Sequence, residues 1–157
     1  MTMLYALLSA EVSDSTGFGI WNADGDGEHR SWKDYLRASI EEDPADRAGP
    51  WRAKLEASAT GAAAFDRDVP LLLRRIEDMP EIRAVIHGDL LNYNVFASSG
   101  RITGVIDWGC AMYGDPIFDL AWFDFWWPWY PQWRDVDIVF GAIRMFEDRG
   151  ADMACFR

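Results

Sequence analysis

The sequence contains few cysteines and few basic residues. Its two cysteines, Cys110 and Cys155, are too few for a disulfide framework and lack the paired spacing of a zinc site, so a reduced, cytoplasmic setting is expected. Fifteen Lys and Arg residues stand against 26 Asp and Glu, which gives a formal net charge of −11. Such a chain lacks the basic face that a phosphate backbone requires. We therefore predict no nucleic-acid partner; the charge suits a cationic small molecule, or simply favours solubility.

Long hydrophobic runs and a secretion signal are also missing. The first basic residue is Arg30, so no charged region precedes the apolar start MTMLYALLSA. The aromatic run AWFDFWWPWY contains Asp124 and Pro128 and is far too short to span a bilayer. We predict no membrane partner.

What is abundant is apolar and aromatic side chains. Half of the 157 residues are hydrophobic and 15% are aromatic, with nine tryptophans among them. This composition is typical of a folded globular chain and excludes wholesale disorder. The length fits a single domain covering residues 1–157.

Periodicity predicts helices near residues 3–10, 31–40, 51–64, 70–79, 116–127 and 136–149. In the fourth of these, Leu72, Leu73 and Ile76 are expected to face inward. The Gly- and Asp-rich segment 13–30 predicts an irregular loop. A short strand at 83–86 and a hairpin formed by 94–97 and 102–106 are also predicted. The fold class is therefore α+β, with helices around a small central hairpin.

The segment VIHGDLLNYNVF, residues 85–96, and the later IDWG carry the candidate chemistry. Phosphoryl transfer needs a base beside the attacking hydroxyl and oxygen ligands that hold Mg²⁺ on the nucleotide phosphates. Asp89 is the candidate base, Asn94 and Asp107 are the candidate metal and nucleotide ligands, and His87 is expected to brace the loop by hydrogen bonds. A single Asp or Asn in a loop is more often a turn former, but the ordered set favours a site.

These motifs, and the GDPIFDLA that follows them, resemble motifs of the aminoglycoside phosphotransferases. That family is related to the protein kinases, and the kinases carry HRD and DFG at the corresponding places. TGFGIW, SSGRITGVIDW and FWWPW extend the resemblance over about residues 16–130. The resemblance implies a kinase-like C-terminal lobe, mostly helical, whose hairpin carries the catalytic and metal motifs. It implies an O-phosphotransferase acting on an aminoglycoside-like hydroxyl with Mg²⁺ and ATP or another nucleoside triphosphate. Asp119 would then hydrogen-bond the catalytic loop and support it.

Aromatic residues near the end of the resemblance are candidates for substrate contact. Trp122 and Trp126 are more readily explained as packing between helices. Their ring faces beside Asp124 would nevertheless suit an aminocyclitol with ammonium groups. Asp115 lies in a Gly-Asp-Pro turn, where starting the next helix explains it slightly better than a role in the site.

A nucleotide-binding lobe is not visible in the sequence. Its only lysines, Lys33 and Lys54, lie in predicted helices, and no glycine-rich loop follows a strand. We expect the chain to be the central part of a larger enzyme, inactive by itself, with an apolar strip through which it self-associates. Two alternatives stay open: a catalytically inactive remnant or binding module of the same fold, and a kinase of another small alcohol such as a choline-like or sugar substrate.

Overall fold

Chain contacts divide the described residues, 2–42 and 50–148 of this computed structural model, into two units. The larger unit takes in residues up to Trp32 and from Pro80 onward, and the smaller unit is Lys33–Met79. Cys155 and the predicted end of the last helix at residues 149–150 lie outside the described residues. The single domain predicted from length stays a prediction.

The described residues contain helices and short strands in the following order: α1 (Thr2–Leu8), β1 (Phe18–Trp21), β2 (Gly27–His29), α2 (Trp32–Ala38), α3 (Trp51–Glu56), α4 (Ala63–Asp78), β3 (Ala84–Ile86), β4 (Val95–Ser98), β5 (Arg101–Val105), β6 (Met112–Gly114), α5 (Ile117–Trp126) and α6 (Ile138–Asp148). Single 3₁₀ turns at Asn92–Asn94 and Trp108–Cys110 flank the hairpin strands β4 and β5.

In the smaller unit, two predicted boundaries are wrong. The helix predicted to span 51–64 ends at Glu56, and α4 begins at Ala63 and continues through Pro70. Contacts with α3 explain why the turns before the proline are helical. The Arg52 guanidinium binds both carboxylate oxygens of Asp66, at 2.6 and 3.0 Å, and the Trp51 and Phe65 rings lie 4.9 Å apart. Tertiary contacts here outweigh a local stop signal.

The inward face predicted for α4 is correct only in part. Ile76 is buried, whereas Leu72 is 47% exposed. The periodicity identified a helix but overestimated the width of its buried face.

A four-stranded antiparallel sheet in the order β2-β1-β6-β3 corrects the prediction of an irregular loop at 13–30. Both β1 and β2 come from that segment. Gly19 of β1 pairs with Tyr113 of β6, far along the chain. Strands this short, surrounded by Gly and Asp, have little local pattern, so their pairing depends on partners that a window of sequence does not contain.

The hairpin of β4 and β5 contains a two-residue turn. Ser99 has a φ of 51° and Gly100 a φ of 73°. Two positive φ values are the geometry that fits the right-handed twist of paired strands. Val95 pairs with Val105 at the other end of the hairpin, which fixes the register beside Asn94.

A hydrophobic core in the larger unit joins the hairpin to three helices. Its buried members are Leu7, Leu90, Leu120, Ala142 and Phe146, against which Val85, Val95 and Val105 pack. Within the described ranges, no helix is both long enough and apolar enough to cross a bilayer.

Gly114 of β6 generates a stability prediction. A Cβ on Gly114 would lie 2.3 Å from Cε3 of Trp32, which is 1% exposed and cannot move away. Gly114→Ala should therefore lower the free energy of unfolding by about 1–3 kcal/mol, measured by urea denaturation. Gly104→Ala in β5 is the matched control, because its Cβ would meet only Phe96 Cδ2 at 3.8 Å. Equal stability of the two variants would contradict this packing.

Candidate active site

The Asp119 carboxylate holds the start of the HGD loop. Asp119 lies in the first turn of α5 and is 1% exposed. Its Oδ2 accepts the backbone N–H of His87 at 2.9 Å, and its Oδ1 accepts that of Gly88 at 2.8 Å. Burial raises the pKa of Asp119, while these two hydrogen bonds act in the opposite direction. This is the contact that the family resemblance predicts.

His87 connects the same loop to the end of β5. Its ring is fully buried, with Nε2 2.9 Å from the Ile106 carbonyl and Nδ1 accepting the backbone N–H of Asp89 at 3.3 Å. Because a carbonyl only accepts and a backbone N–H only donates, these partners assign the neutral tautomer with its proton on Nε2. His87 therefore braces the loop, and its ring nitrogens are both occupied.

Gly88 is required by the backbone path. Its φ is +79°, and a Cβ there would lie 2.3 Å from the carbonyl oxygen of Cys110. Only glycine combines that conformation with that close approach. The middle position of HGD is thus fixed by sterics.

Asp89 and Asn94 are joined side chain to side chain. Asn94 Nδ2 donates to the Asp89 carbonyl at 2.8 Å and to Asp89 Oδ2 at 3.0 Å. Both partners are acceptors, so the amide nitrogen faces Asp89 and the Asn94 Oδ1 faces away from it. The backbone carbonyl of Asn94 accepts the N–H of Ile106 at 3.0 Å, which brings the end of β5 beside it.

Asp107 follows Ile106 directly and has an uncommon backbone conformation. Its φ of 62° and ψ of 63° are left-handed, where a non-glycine residue is rare and often functional. The side chain is exposed, and no donor among the described residues bonds its carboxylate. The Asn94–Ile106 hydrogen bond therefore places Asp107, the residue after Ile106, in a segment that is bonded to the one carrying Asp89 and Asn94.

This donor set fits a magnesium ion that arrives with phosphates. Mg²⁺ is usually held by one or two protein oxygens together with water and substrate phosphates. Across the described residues, no group of three or more His, Cys, Asp or Glu side chains could enclose a metal. Asn94 and Asp107 therefore suit a metal ion that phosphates and water also coordinate, and not one that protein ligands hold by themselves.

The Trp122 side chain contacts Asp89, the candidate base. The sequence did not predict this contact. Its indole Nε1–H donates to Asp89 Oδ1 at 3.0 Å. The available signal was spacing, because Trp122 lies three residues after Asp119 and shares its face of α5.

The other two candidate substrate residues lie apart from that contact. The Trp126 ring packs edge-on against Trp122 at 5.7 Å, and its buried indole N–H has no acceptor among the described residues. Asp124 is exposed and lines a separate cavity of about 350 Å³ with Trp127, Arg134, Asp135 and Asp137. Substrate contact by Trp122, Asp124 and Trp126 stays a prediction.

Asp115 is buried at the start of α5. Its Oδ1 accepts the N–H of Ile117 at 3.0 Å, as expected for a residue that starts a helix. Its Oδ2 has no partner in the described part of the chain. Burial raises the pKa of Asp115, with the Ile117 hydrogen bond opposing it.

Removal of the Asp119 carboxylate should destabilise the chain. Asp119→Ala leaves the N–H groups of His87 and Gly88 buried without their acceptor, at about 1–3 kcal/mol each. We expect a lower melting temperature by circular dichroism and faster amide exchange at both residues. Asp124→Ala, an exposed carboxylate on the same helix, should change stability by less than about 0.5 kcal/mol. Melting temperatures lowered equally in both variants would contradict the role of Asp119.

Asp115 should make stability depend on pH. Since the folded state binds this proton more tightly than the unfolded chain, stability should fall as pH rises from the ordinary aspartate range through the raised pKa. Asp115→Asn keeps the acceptor for Ile117 and removes the titration. Its free energy of unfolding should decline less than that of the wild type between about pH 4 and pH 7. Asp124→Asn is the control; if the Asp115→Asn and wild-type profiles run parallel, the prediction fails.

Comparison with known proteins confirms the resemblance seen in the sequence. A profile of the phosphotransferase enzyme family matches residues 6–148. Hygromycin-B 4-O-kinase of Escherichia coli is 36% identical over 126 residues, which cover 79% of this chain and 35% of the relative. TGFGIW, SSGRITGVIDW and FWWPW already resemble hygromycin B phosphotransferase within the family.

Solved structures agree with this match. One is a thermostable mutant of the aminoglycoside phosphotransferase APH(4)-Ia in ternary complex with AMP-PNP and hygromycin B. It superposes with a TM-score of 0.70 at 32% identity, and the match covers 93% of this chain and 45% of that one. The apo form of a thermostable mutant gives a TM-score of 0.71 at 33% identity, covering 93% and 46%. The chain spans less than half the length of these relatives. It belongs to the phosphotransferase enzyme family and has the kinase-like aminoglycoside phosphotransferase fold, a mixture of helix and sheet.

Proposed function

We propose that this chain is the part of an ATP-dependent O-phosphotransferase that supplies the catalytic base and the metal ligands, with an aminoglycoside-like hydroxyl as acceptor. The observation that carries the proposal is the arrangement around Asp89. Its carboxylate is bonded to Asn94 Nδ2, while no donor among the described residues bonds the Asn94 Oδ1 or the exposed Asp107 carboxylate. The related proteins named for hygromycin B support the acceptor class.

Asp89 is the group proposed to touch the acceptor. Its carboxylate orients the attacking hydroxyl and accepts its proton as the oxygen bonds to phosphorus. His87 and Asp119 act through the backbone: the Asp119 carboxylate holds two N–H groups of the loop, and His87 joins the loop to Ile106. Phosphoryl transfer depends mainly on positioning and charge, so a rigid loop is the main contribution of these two residues.

Asn94 and Asp107 are the residues that would hold Mg²⁺ and, through it, the nucleotide. The ion would neutralise charge on the transferred phosphate. The chain contributes oxygen ligands from two segments that the Asn94–Ile106 hydrogen bond fixes at 3.0 Å. Asp107 has a left-handed backbone just after β5, and its carboxylate has no donor in the described part of the chain, so it is available to a metal ion.

A cationic acceptor suits the charge of the chain. The formal net charge is −11, and Asp124, Asp135 and Asp137 line one cavity with Trp127 and Arg134, so three carboxylates there face one guanidinium. Ammonium groups of an aminocyclitol would find carboxylates and aromatic faces there. Substrate contact by Asp124, Trp122 and Trp126 is part of this proposal.

We assign the chain to the C-terminal lobe of such an enzyme. Neither lysine takes a phosphate-binding place: Lys33 lies on α2 and donates to the Glu77 carbonyl at 2.7 Å, and Lys54 lies on α3. The hairpin region exposes Tyr93, Phe96, Ile102 and Ile106, at 72%, 56%, 43% and 46%. These side chains suit packing against a nucleotide-binding lobe, or self-association of this chain.

The test is phosphotransfer to hygromycin B, followed by mass spectrometry. The chain alone with Mg-ATP should give no phosphorylated product, because no lysine neutralises the nucleotide phosphates. Joined to the N-terminal lobe of the hygromycin-B kinase that it resembles, it should give product. In the joined enzyme, Asp89→Asn should lower kcat by about 100-fold or more. Because its amide nitrogen would face the N–H of Asn94 or of Trp122, circular dichroism is used to show that the variant is folded at the assay temperature.

Asp24→Asn is the matched control, since Asp24 is exposed in the turn between β1 and β2. Undiminished turnover with Asp89→Asn would remove the proposed base. Turnover by the chain alone would remove the lobe assignment. A joined enzyme that phosphorylates choline or a sugar but not hygromycin B would change the substrate class, and one that phosphorylates no acceptor would favour a binding module.

A further inference from the structure

The two oxygens of the Asp89 carboxylate are each held by a different side chain. Asn94 Nδ2 donates to Oδ2, and the Trp122 indole Nε1–H donates to Oδ1, both at 3.0 Å. Two donors on opposite oxygens fix both the χ1 rotamer and the plane of a carboxylate, which one donor alone does not do.

The position of the indole is itself determined by α5. Trp122 follows Asp119 by three residues, so the two side chains lie on one face of the helix. Asp119 bonds the N–H groups of His87 and Gly88, and Trp122 bonds the side chain of Asp89. One helical turn therefore contacts three consecutive residues of the loop.

Neighbouring rings restrain the indole further. Phe125 stacks on Trp122 with centroids 6.1 Å apart and planes 20° apart, and Trp126 meets it edge-on at 5.7 Å. An indole held on two sides keeps its N–H direction, so the hydrogen bond to Asp89 is pre-organised.

We infer that Trp122 is a positioning residue, which fixes the carboxylate of Asp89 in the orientation needed to meet the acceptor hydroxyl. The inference rests on the proposed role of Asp89 as base. An indole N–H is a neutral donor, so it orients the carboxylate without placing a positive charge against it, as an Arg or Lys would. The remaining lone pairs of the carboxylate stay available to the hydroxyl.

The test measures the Asp89 rotamer directly by NMR in the full chain. When a residue keeps a single χ1 rotamer, each of its Hα–Hβ couplings has the small gauche or the large trans value, and averaging over rotamers brings both couplings to intermediate values. Trp122→Phe keeps an aromatic ring and removes the N–H, so the two Asp89 couplings should move to intermediate values. Trp126→Phe is the matched control: it makes the same change in the same cluster, but its indole N–H has no acceptor among the described residues. There the Asp89 couplings should keep their gauche or trans values.

A second measurement keeps Trp122 in place. Asp89→Ala removes the acceptor, so the Trp122 indole resonance should shift upfield and its hydrogen should exchange roughly tenfold faster or more, as expected on losing a bond to a charged acceptor. Loss of one indole peak in Trp122→Phe assigns that resonance. An unchanged indole resonance in Asp89→Ala, or Asp89 couplings that keep their gauche or trans values in Trp122→Phe, would overturn the inference. So would intermediate Asp89 couplings in both Trp variants, since that would reflect loosening of the helix.

Neither measurement requires nucleotide, metal or acceptor. Failure of the proposed function would appear as absent product with the Asp89 rotamer still fixed by Trp122. Failure of the inference would appear as an Asp89 rotamer that does not change when Trp122 is replaced by Phe, whether or not product forms.

Discussion

The candidate site depends on one buried carboxylate that bonds backbone. Asp119 gives up hydration to accept the N–H groups of His87 and Gly88, and burial raises its pKa as a consequence. Without that acceptor, the two N–H groups would be stranded in the interior. The backbone path in which Gly88 has a φ of +79° is stable because these donors are satisfied.

The hydrophobic core also holds the other candidate residues in position. Leu90 follows Asp89, Val95 follows Asn94 and Leu120 follows Asp119, and all three apolar side chains join one cluster. Each polar group is thus attached to an anchored neighbour. A shift of the loop would move a packed side chain out of a dense interior, which resists small displacements. This explains how a small hairpin, β4 and β5, can hold Asn94 and Asp107 in a fixed relation.

The sequence predicted the hairpin of β4 and β5 better than it predicted the four-stranded sheet. His87, Asp89, Asn94 and Asp107 were predicted as site residues because their order and spacing match a chemical requirement, and Ser99 and Gly100 marked the turn of the hairpin. The strands β1, β2 and β6 were missed because three or four residues carry too little pattern, and Gly19 finds its partner only at Tyr113.

Two further differences have the same cause. The helix α4 continues through Pro70 because α3 supports its first turns, through the Arg52–Asp66 pair among other contacts. The Trp122 contact with Asp89 joins residues 33 positions apart, and the sequence pattern gave only the face of the helix. Local signals identify elements and chemical groups, whereas contacts between distant segments decide boundaries and partners.

Environment divides the aspartates of these motifs into two kinds. Asp115 and Asp119 are each 1% exposed, bond backbone N–H groups and have raised pKa values, so they act on the stability of the loop and of α5. Asp89 is half-buried and bonds only side chains through its carboxylate, and Asp107 is exposed with no donor among the described residues. Burial keeps the lone pairs of Asp115 and Asp119 out of reach of a ligand, whereas a half-buried or exposed carboxylate keeps acceptor capacity that a ligand can reach. Burial therefore separates the supporting aspartates from the proposed reactive ones, although all four are the same residue type within 31 positions of the chain, Asp89 to Asp119.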